Sequence, residues 1–347
     1  MANQKIRVAV NGYGVIGKRV ADAVRAQPDM ELVGVSDVVS DYRIKTAVAL
    51  GIPVYASLRD KQNDMKDAGI PIVGTLDGLL SEIDVMVDCT PKGIGAKNLD
   101  HYREAGVKAI FQGGEKHSLT GHSFVAQANY ASALGRDATR VVSCNTTSTV
   151  RTLTALRDAG LLKKARGVLV RRATDPWESD HSGIMNTVVP EDTIPSHQGP
   201  DAQTVVQELD VVTIAAKAAH TQNHNHFWIV ELTKAASRDE VLAAFQAAPR
   251  IAFIRMSEGI VALNNTVELM KDLGRPRGDM WEVGLWEDVL EANGNEVYYT
   301  YQVDNQAIVI PENIDAIRAL AGTVKDAAES IRRTDEALGV KRDFLEG

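Results

Sequence analysis

At 347 residues the chain is too long for one small core and suits two domains. Its net charge of −8 disfavours the broad basic surface that nucleic acids need, while leaving room for a local arginine site for small anions. No apolar run is long enough to span a bilayer, and the opening MANQKIRVAV has neither an apolar signal core nor a cleavage site, so the expected compartment is the cytoplasm. The two cysteines, Cys89 and Cys144, are too few for a disulfide framework or an all-cysteine zinc site and fit a reducing compartment.

In chain order, Ile6, Val8 and Val10 predict a strand. A helix follows over 15–27, with Ile16, Val20, Ala23 and Val24 on one face. Leu32–Val35, Val54–Tyr55, Val85–Val87, Lys108–Phe111 and Arg140–Ser143 are further strand candidates, with a helical stretch around 41–50. Strands alternating with helices predict a parallel, doubly wound sheet. Beyond Cys144 the texture changes. Residues 146–160 predict a helix through Val150, Leu153 and Leu156, and Gly167–Val170 a strand leading into Arg171 and Arg172. Pro190, Pro195 and Pro200 predict a long functional loop over 176–200. Strands at 206–216, 226–233 and 296–310 predict a mostly antiparallel sheet. A final helix begins near Pro311, with Ile314, Ile317 and Leu320 along one face.

The first strand runs into Asn11-Gly12-Tyr13-Gly14-Val15-Ile16-Gly17, a G-x-G-x-x-G loop that opens a helix. This context, rather than the glycines alone, predicts a dinucleotide site. Gly12 permits the tight turn, Gly14 lets backbone approach a pyrophosphate, and Gly17 lets helix and strand pack closely. The helix N-terminus offers unpaired N–H groups to the phosphates. Asp37, after Leu32-Val33-Gly34-Val35-Ser36, stands where a carboxylate bonds the adenine ribose hydroxyls and would repel a 2′-phosphate, which favours NAD over NADP.

Cys144 lies in Val142-Ser143-Cys144-Asn145-Thr146-Thr147, where a strand hands over to a helix. A thiol there feels the helix dipole, which favours the nucleophilic thiolate, and nearby amides offer an oxyanion site. Cys89 ends another strand and is expected to be structural. Of the eight histidines, three cluster as His220, His224 and His226. His224 and His226 share one face at strand spacing. No carboxylate or cysteine accompanies them at metal-ligand spacing, so a base for Cys144 is favoured over a metal site.

The runs VAVNGYGVIGKRVADAV, IFQGGEKH, RVVSCNTTSTVRTL, VRRATD, VVPEDTIPSH and IVIPENIDAIRA, in this order from about residue 5 to the C-terminal helices, resemble the archaeal-type glyceraldehyde-3-phosphate dehydrogenases. The resemblance implies an α/β chain: a Rossmann domain over 1–143, a catalytic α+β domain over 144–308, and a C-terminal helical segment over 309–347 returning to the first domain. It also implies a homotetramer. By position, Cys144 is the nucleophile and His224 its base. Ser143 and Asn145 contact substrate, and His197 and Gln198 hold its phosphate. Val15 and Ile16 lie on the cofactor loop, Gly114 lines the cofactor groove, and Arg172 and Asn305 stand near the cofactor. The implied reaction oxidises glyceraldehyde 3-phosphate through a Cys144 thioester that inorganic phosphate cleaves to 1,3-bisphosphoglycerate, with His224 taking the hydroxyl proton. Arg171, Arg172, His197 and Lys116 are the expected phosphate donors.

The chain departs from the family at four places. Ala219-His220-Thr221-Gln222-Asn223 replaces Pro-Thr-Thr-Leu-Met, Gln198 replaces the second residue of a His-His pair, Asn305 replaces a glutamine, and Asp37 replaces a basic residue. Two rival readings remain open on the sequence. One is another aldehyde or semialdehyde dehydrogenase on the same scaffold; the other is a non-catalytic dinucleotide sensor.

Overall fold

The computed structural model describes residues 5–176 and 188–345. The 177–187 part of the expected long loop lies outside the described residues. The chain divides into two units: residues up to Ser143 with Val309–Gly339, and Cys144–Ile308 with the residues from Val340 onward.

In the first unit, short apolar runs become strands because both faces of the sheet are covered. They are β1 Ile6–Asn11, β2 Met30–Asp37, β3 Val54–Ala56, β4 Ile72–Thr75, β5 Val85–Asp88, β6 Lys108–Phe111, β7 Ser123–Phe124 and β8 Ala138–Val141. All pair in parallel, in the order β4-β3-β2-β1-β5-β6-β8-β7. The order reverses at β1, which lies between β2 and β5. In a doubly wound sheet the ligand crevice opens at such a switch point, beyond the carboxyl ends of the strands. Tyr55, Leu79, Met86, Leu99, Tyr102 and Phe111 belong to one core cluster of this unit. The helix Ile310–Ala321 completes the unit, with Pro311 in its first turn and Gly322 as a left-handed C-cap.

The second unit holds β9 Leu162–Arg172, β10 Val188–Pro190, β11 Val211–Ala218, β12 His224–Leu232, β13 Ile251–Ile254, β14 Val283–Trp286, β15 Glu291–Asn293 and β16 Glu296–Val303. The order is β10-β11-β9-β12-β16-β14-β13, with β15 on β16. The sheet is mostly antiparallel, but β11 pairs with β9 and β13 with β14 in parallel. The helix Cys144–Asp158 is buried from Asn145 to Leu156 and contacts β9 and β16. β12 alternates in burial: His224, His226, Trp228 and Val230 face inward, and Phe227 and Ile229 face outward.

Three boundaries differ from expectation. The strand expected at 206–216 begins only at Val211, because residues 204–210 turn the chain out of the helix Gln198–Gln203. The last sequence strand stops at Val303, because Asp304 turns the chain by accepting from the N–H groups of Gln306 and Ala307. The segment after Gly339 does not stay with the first unit: Phe344 joins the second unit's core, and Asp343 pairs with Arg255 at 2.7 Å.

Candidate active site

The glycine loop follows β1 as its residue types require. Gly12 has φ +90°, and a Cβ there would lie 2.9 Å from the Cys89 backbone. A Cβ on Gly17 would lie 1.9 Å from the Gly12 carbonyl oxygen, so helix and turn touch through backbone. A Cβ on Gly14 would meet nothing within 4 Å. Gly14 caps the helix Val15–Ala26 with no side-chain bond to its amides. The residues present therefore fit a dinucleotide: open space over Gly14 and unclaimed N–H groups at Val15 and Ile16 suit a pyrophosphate. Asp37, at the end of β2, accepts from the Tyr13 N–H at 2.6 Å, the Val38 N–H at 2.7 Å and the Val39 N–H at 3.2 Å. Its carboxylate thus ties the loop to the neighbouring strand. Gly114 is exposed. Beside it, Gly113 has the tighter requirement, because a Cβ there would lie 2.4 Å from the Ser143 nitrogen. Lys116 is exposed just before the short helix His117–Thr120. Cys89 is half-buried, and its desolvation, with Asp88 beside it, pushes its thiol well above the ordinary range.

In the second unit, Cys144 is the first residue of the helix Cys144–Asp158. Its Sγ lies 3.3 Å from Nε2 of His224, the first residue of β12. The Nδ1 of His224 accepts the backbone N–H of Arg172 at 3.1 Å. His226, two residues along the same face, is not a second partner for sulfur. Its Nε2 is 2.9 Å from Asn145 Oδ1, and its Nδ1 is 2.9 Å from the Tyr301 hydroxyl. Asn145, expected on substrate, thus spends its side-chain oxygen on His226; Ser143 directly precedes the nucleophile. The ring nitrogens of both histidines are thus engaged with protein groups, and among the described residues no cluster of three or more His, Cys, Asp or Glu suited to a metal occurs.

Burial decides the electrostatics. It pushes the Cys144 thiol up to about 11, against the pull of Arg172, Arg171 and the Asn145 amide. The helix terminus is where the sequence put it, but desolvation outweighs the attraction that position offers a thiolate. Burial likewise pulls His226 down to about 3 and holds His224 well below the usual histidine range, helped by His226, Arg172 and Arg171.

Arg171 and Arg172 diverge at the end of β9. The Arg172 guanidinium pairs with Asp175 at 3.0 Å. Asn305 donates to the same carboxylate at 2.9 Å and accepts the Asn223 N–H at 2.8 Å. Arg171 pairs with Glu191, whose carboxylate also lies 3.2 Å from His197 Nδ1 and accepts from Gln198 Nε2 at 3.3 Å. The structure therefore brings Arg171, His197 and Gln198 together around one carboxylate. Arg171 Nε and Gln198 Oε1 are buried with no hydrogen-bond partner among the described residues. Sequence reasoning missed Asp175, Glu191 and Asn223. Only the acidic character of the first two and the departure at Asn223 marked them.

Residues 143–275 match the family described as glyceraldehyde 3-phosphate dehydrogenase, C-terminal domain, and residues 6–114 match dihydrodipicolinate reductase, N-terminus. A glyceraldehyde-3-phosphate dehydrogenase of Methanobacterium bryantii is 44% identical over 96% of this chain and 99% of its own. One from Methanobrevibacter smithii is 45% identical over 96% and 99%, and one from Hyperthermus butylicus 45% over 97% and 98%. A crystal structure of aspartate semialdehyde dehydrogenase II from Vibrio cholerae, complexed with ASA, shares the fold. Its TM-score is 0.67 at 12% identity, over 95% of this chain and 99% of that one. With near full-length relatives at this identity, the chain belongs to the glyceraldehyde-3-phosphate dehydrogenase family.

Proposed function

We propose that the chain is a phosphorylating glyceraldehyde-3-phosphate dehydrogenase acting through a thioester on Cys144. The observation that carries this reading is the 3.3 Å pairing of Cys144 Sγ with His224 Nε2 at a helix start, beside two arginines. The sulfur attacks the aldehyde carbon to give a thiohemiacetal. A nicotinamide held by the glycine loop would supply the hydride acceptor needed to oxidise such an adduct to a thioester. Inorganic phosphate then attacks the acyl carbon, and sulfur departs as thiolate. Arg171, His197 and Gln198 are proposed to hold a substrate phosphate in the place the Glu191 carboxylate takes, since the same donors serve both anions. Gly12, Gly14, Val15, Ile16, Gly17, Asp37 and Gly114 are proposed to hold the cofactor. Arg172 and Asn305 are better supported as positioning residues, because their side chains are spent on Asp175 and Asn223.

NAD is favoured over NADP because the Asp37 carboxylate ends β2 beside the glycine loop. A homotetramer in the cytoplasm is the expected state. The outward face of the second sheet supports self-association, with Val168, Ile214, Phe227 and Ile229 each about half exposed. Among the described residues no helix is long and apolar enough to cross a membrane, and both cysteines are free.

The test is formation of reduced cofactor from glyceraldehyde 3-phosphate, with NAD or NADP, with and without phosphate. Sustained turnover that requires phosphate, with a higher kcat/KM for NAD, is expected. Turnover indifferent to phosphate, or confined to a semialdehyde, would reject the reading.

A further inference from the structure

A line of polar side chains crosses the first sheet at the carboxyl ends of β3, β2, β1 and β5, which are neighbours in that order. Asn11, the last residue of β1, sits at its centre and directly precedes Gly12. Its Oδ1 accepts from Ser57 Oγ at 2.8 Å, just past β3, and from Ser36 Oγ at 2.9 Å, on β2. Its Nδ2 donates to the Tyr102 hydroxyl at 2.8 Å, and that hydroxyl donates at 2.7 Å to Asp88 Oδ2, at the end of β5. Tyr102 comes from the helix Gly95–Glu104, and Asn11, Ser36, Asp88 and Tyr102 are all buried.

The residue types fix the direction of these bonds. A carboxylate only accepts, so the single phenolic proton goes to Asp88, and the tyrosine oxygen presents its lone pairs to Asn11. The Asn11 amide must then turn Nδ2 toward Tyr102, which leaves Oδ1 for the serine hydroxyls. Burial, with Asp88 beside it, holds the Tyr102 hydroxyl well above the ordinary range, so it keeps the proton it donates. Asp88 also accepts from the Thr90 N–H at 3.0 Å, the Thr90 hydroxyl and Asn98 Nδ2 at 2.8 Å, and so anchors the segment after β5.

The glycine turn has no slack between these anchors. The Asn11 carbonyl accepts the Cys89 N–H at 2.7 Å, and the Gly12 N–H donates to the Ser36 carbonyl at 2.7 Å. A Cβ on Gly12 would lie 2.9 Å from the Cys89 carbonyl and 3.0 Å from the Thr90 nitrogen. A displaced Asn11 therefore displaces Gly12, and with it the N–H groups at Val15 and Ile16. We infer that Tyr102 is a positioning residue for the dinucleotide: from beneath the surface, its hydroxyl locks the Asn11 amide and so seats the glycine loop against the segment after β5. The inference rests on the glycine loop holding the cofactor, as proposed above, but not on the chemistry at Cys144.

The test is the Kd of NAD for the full chain, by calorimetric titration. Tyr102→Phe removes the hydroxyl and keeps the ring in its core cluster. Asn98→Ala removes another donor from the same Asp88 oxygen and leaves the bond between Tyr102 and Asn11 in place. Both variants are expected to lower the urea midpoint, since each takes a donor from a buried carboxylate. Only Tyr102→Phe is expected to weaken NAD, by about tenfold, with Asn98→Ala within about twofold of wild type. In turnover, the Tyr102→Phe loss should fall on KM for NAD and spare kcat, because saturating cofactor reseats the loop. Ser36→Ala, at a fully buried hydroxyl, loosens the same amide from its other end and should weaken NAD by about threefold, a second reading should Tyr102→Phe fail to fold. NAD bound by Tyr102→Phe or Ser36→Ala as tightly as by wild type, or weakened equally in Asn98→Ala, would leave the network a purely fold-stabilising one and overturn the inference. A wild-type chain that binds NAD without oxidising glyceraldehyde 3-phosphate would strike the proposed function and leave these readings intact.

Discussion

Gly14 and Gly17 lie three residues apart in one loop, yet their spaces are opposite. Gly17 abuts a carbonyl and Gly14 faces open space. Gly17→Ala is therefore expected to destabilise the first unit by about 2 to 3 kcal/mol, read as a lower urea midpoint. Gly14→Ala should leave that midpoint unchanged while weakening dinucleotide binding in a titration, because only the ligand needs the space. Equal effects on folding would contradict the assignment. His122 gives a pH dependence. Its Nδ1 lies 2.7 Å from Thr139 Oγ1 and its Nε2 2.8 Å from Ser132 Oγ. Burial, with Arg136 and His117, lowers its affinity for a proton from 6.5 to about 4. The unfolded chain takes the proton first as pH falls, so the stability from keeping His122 neutral is full above about 6.5 and drains toward about 4. The loss is of order 3 kcal/mol, and His122→Gln should flatten the decline in midpoint between neutral and acid pH. At this scale the glycines, Cys144 and His224 were legible, because each sits in a short pattern with its own chemistry. The Arg172, Asp175 and Glu191 partnerships were not, since their geometry depends on how β9 and the segments after it fold back on β12 and β11.

Helices and strands carry a second layer of information. The helix Ile310–Ala321 showed an apolar face in the sequence, but it is buried on all sides from Ile310 to Leu320. Its polar residues bring their partners with them. Arg318 reaches Asp29 at 2.8 Å, Gln27 at 2.7 Å and Thr334 at 2.6 Å, and holds the Asp29 carboxyl below its usual range against the cost of burial. Arg318→Met should cost about 3 kcal/mol, because Asp29 loses its charge partner, and the same variant with Asp29→Asn should recover part of it. Denaturant midpoints of the single and double variants check this. An unchanged single variant would mean that the pair does not join this helix to its unit. Periodicity located the helix but could not reveal a fully buried one, since polar side chains at 0–1% exposure read in sequence as a solvated face. The parallel pairing of β9 with β11 was likewise hidden, because strand neighbours are chosen by long-range packing and not by local propensity.

At the scale of the whole chain, alternating strands and helices announced the doubly wound first sheet, and the change of texture after Cys144 announced a second unit. The sheet of that second unit leaves Val168, Ile214, Phe227 and Ile229 outward. If this face carries self-association, Phe227→Asp with Ile229→Asp should yield a smaller assembly by light scattering while each protomer stays folded. An unchanged mass would place the interface elsewhere. The acidic net charge and the paired arginines are compatible, since Arg171 and Arg172 concentrate positive charge beside the one cysteine that begins a helix. The proposed reaction requires that this cysteine carry the acyl group. Intact-mass spectrometry after mixing the protein with glyceraldehyde 3-phosphate and NAD, without phosphate, tests it directly. One acyl adduct at Cys144 that disappears when phosphate is added is expected; reduced cofactor accumulating over many turnovers in Cys144→Ser, with no adduct on any residue, would contradict the thioester route.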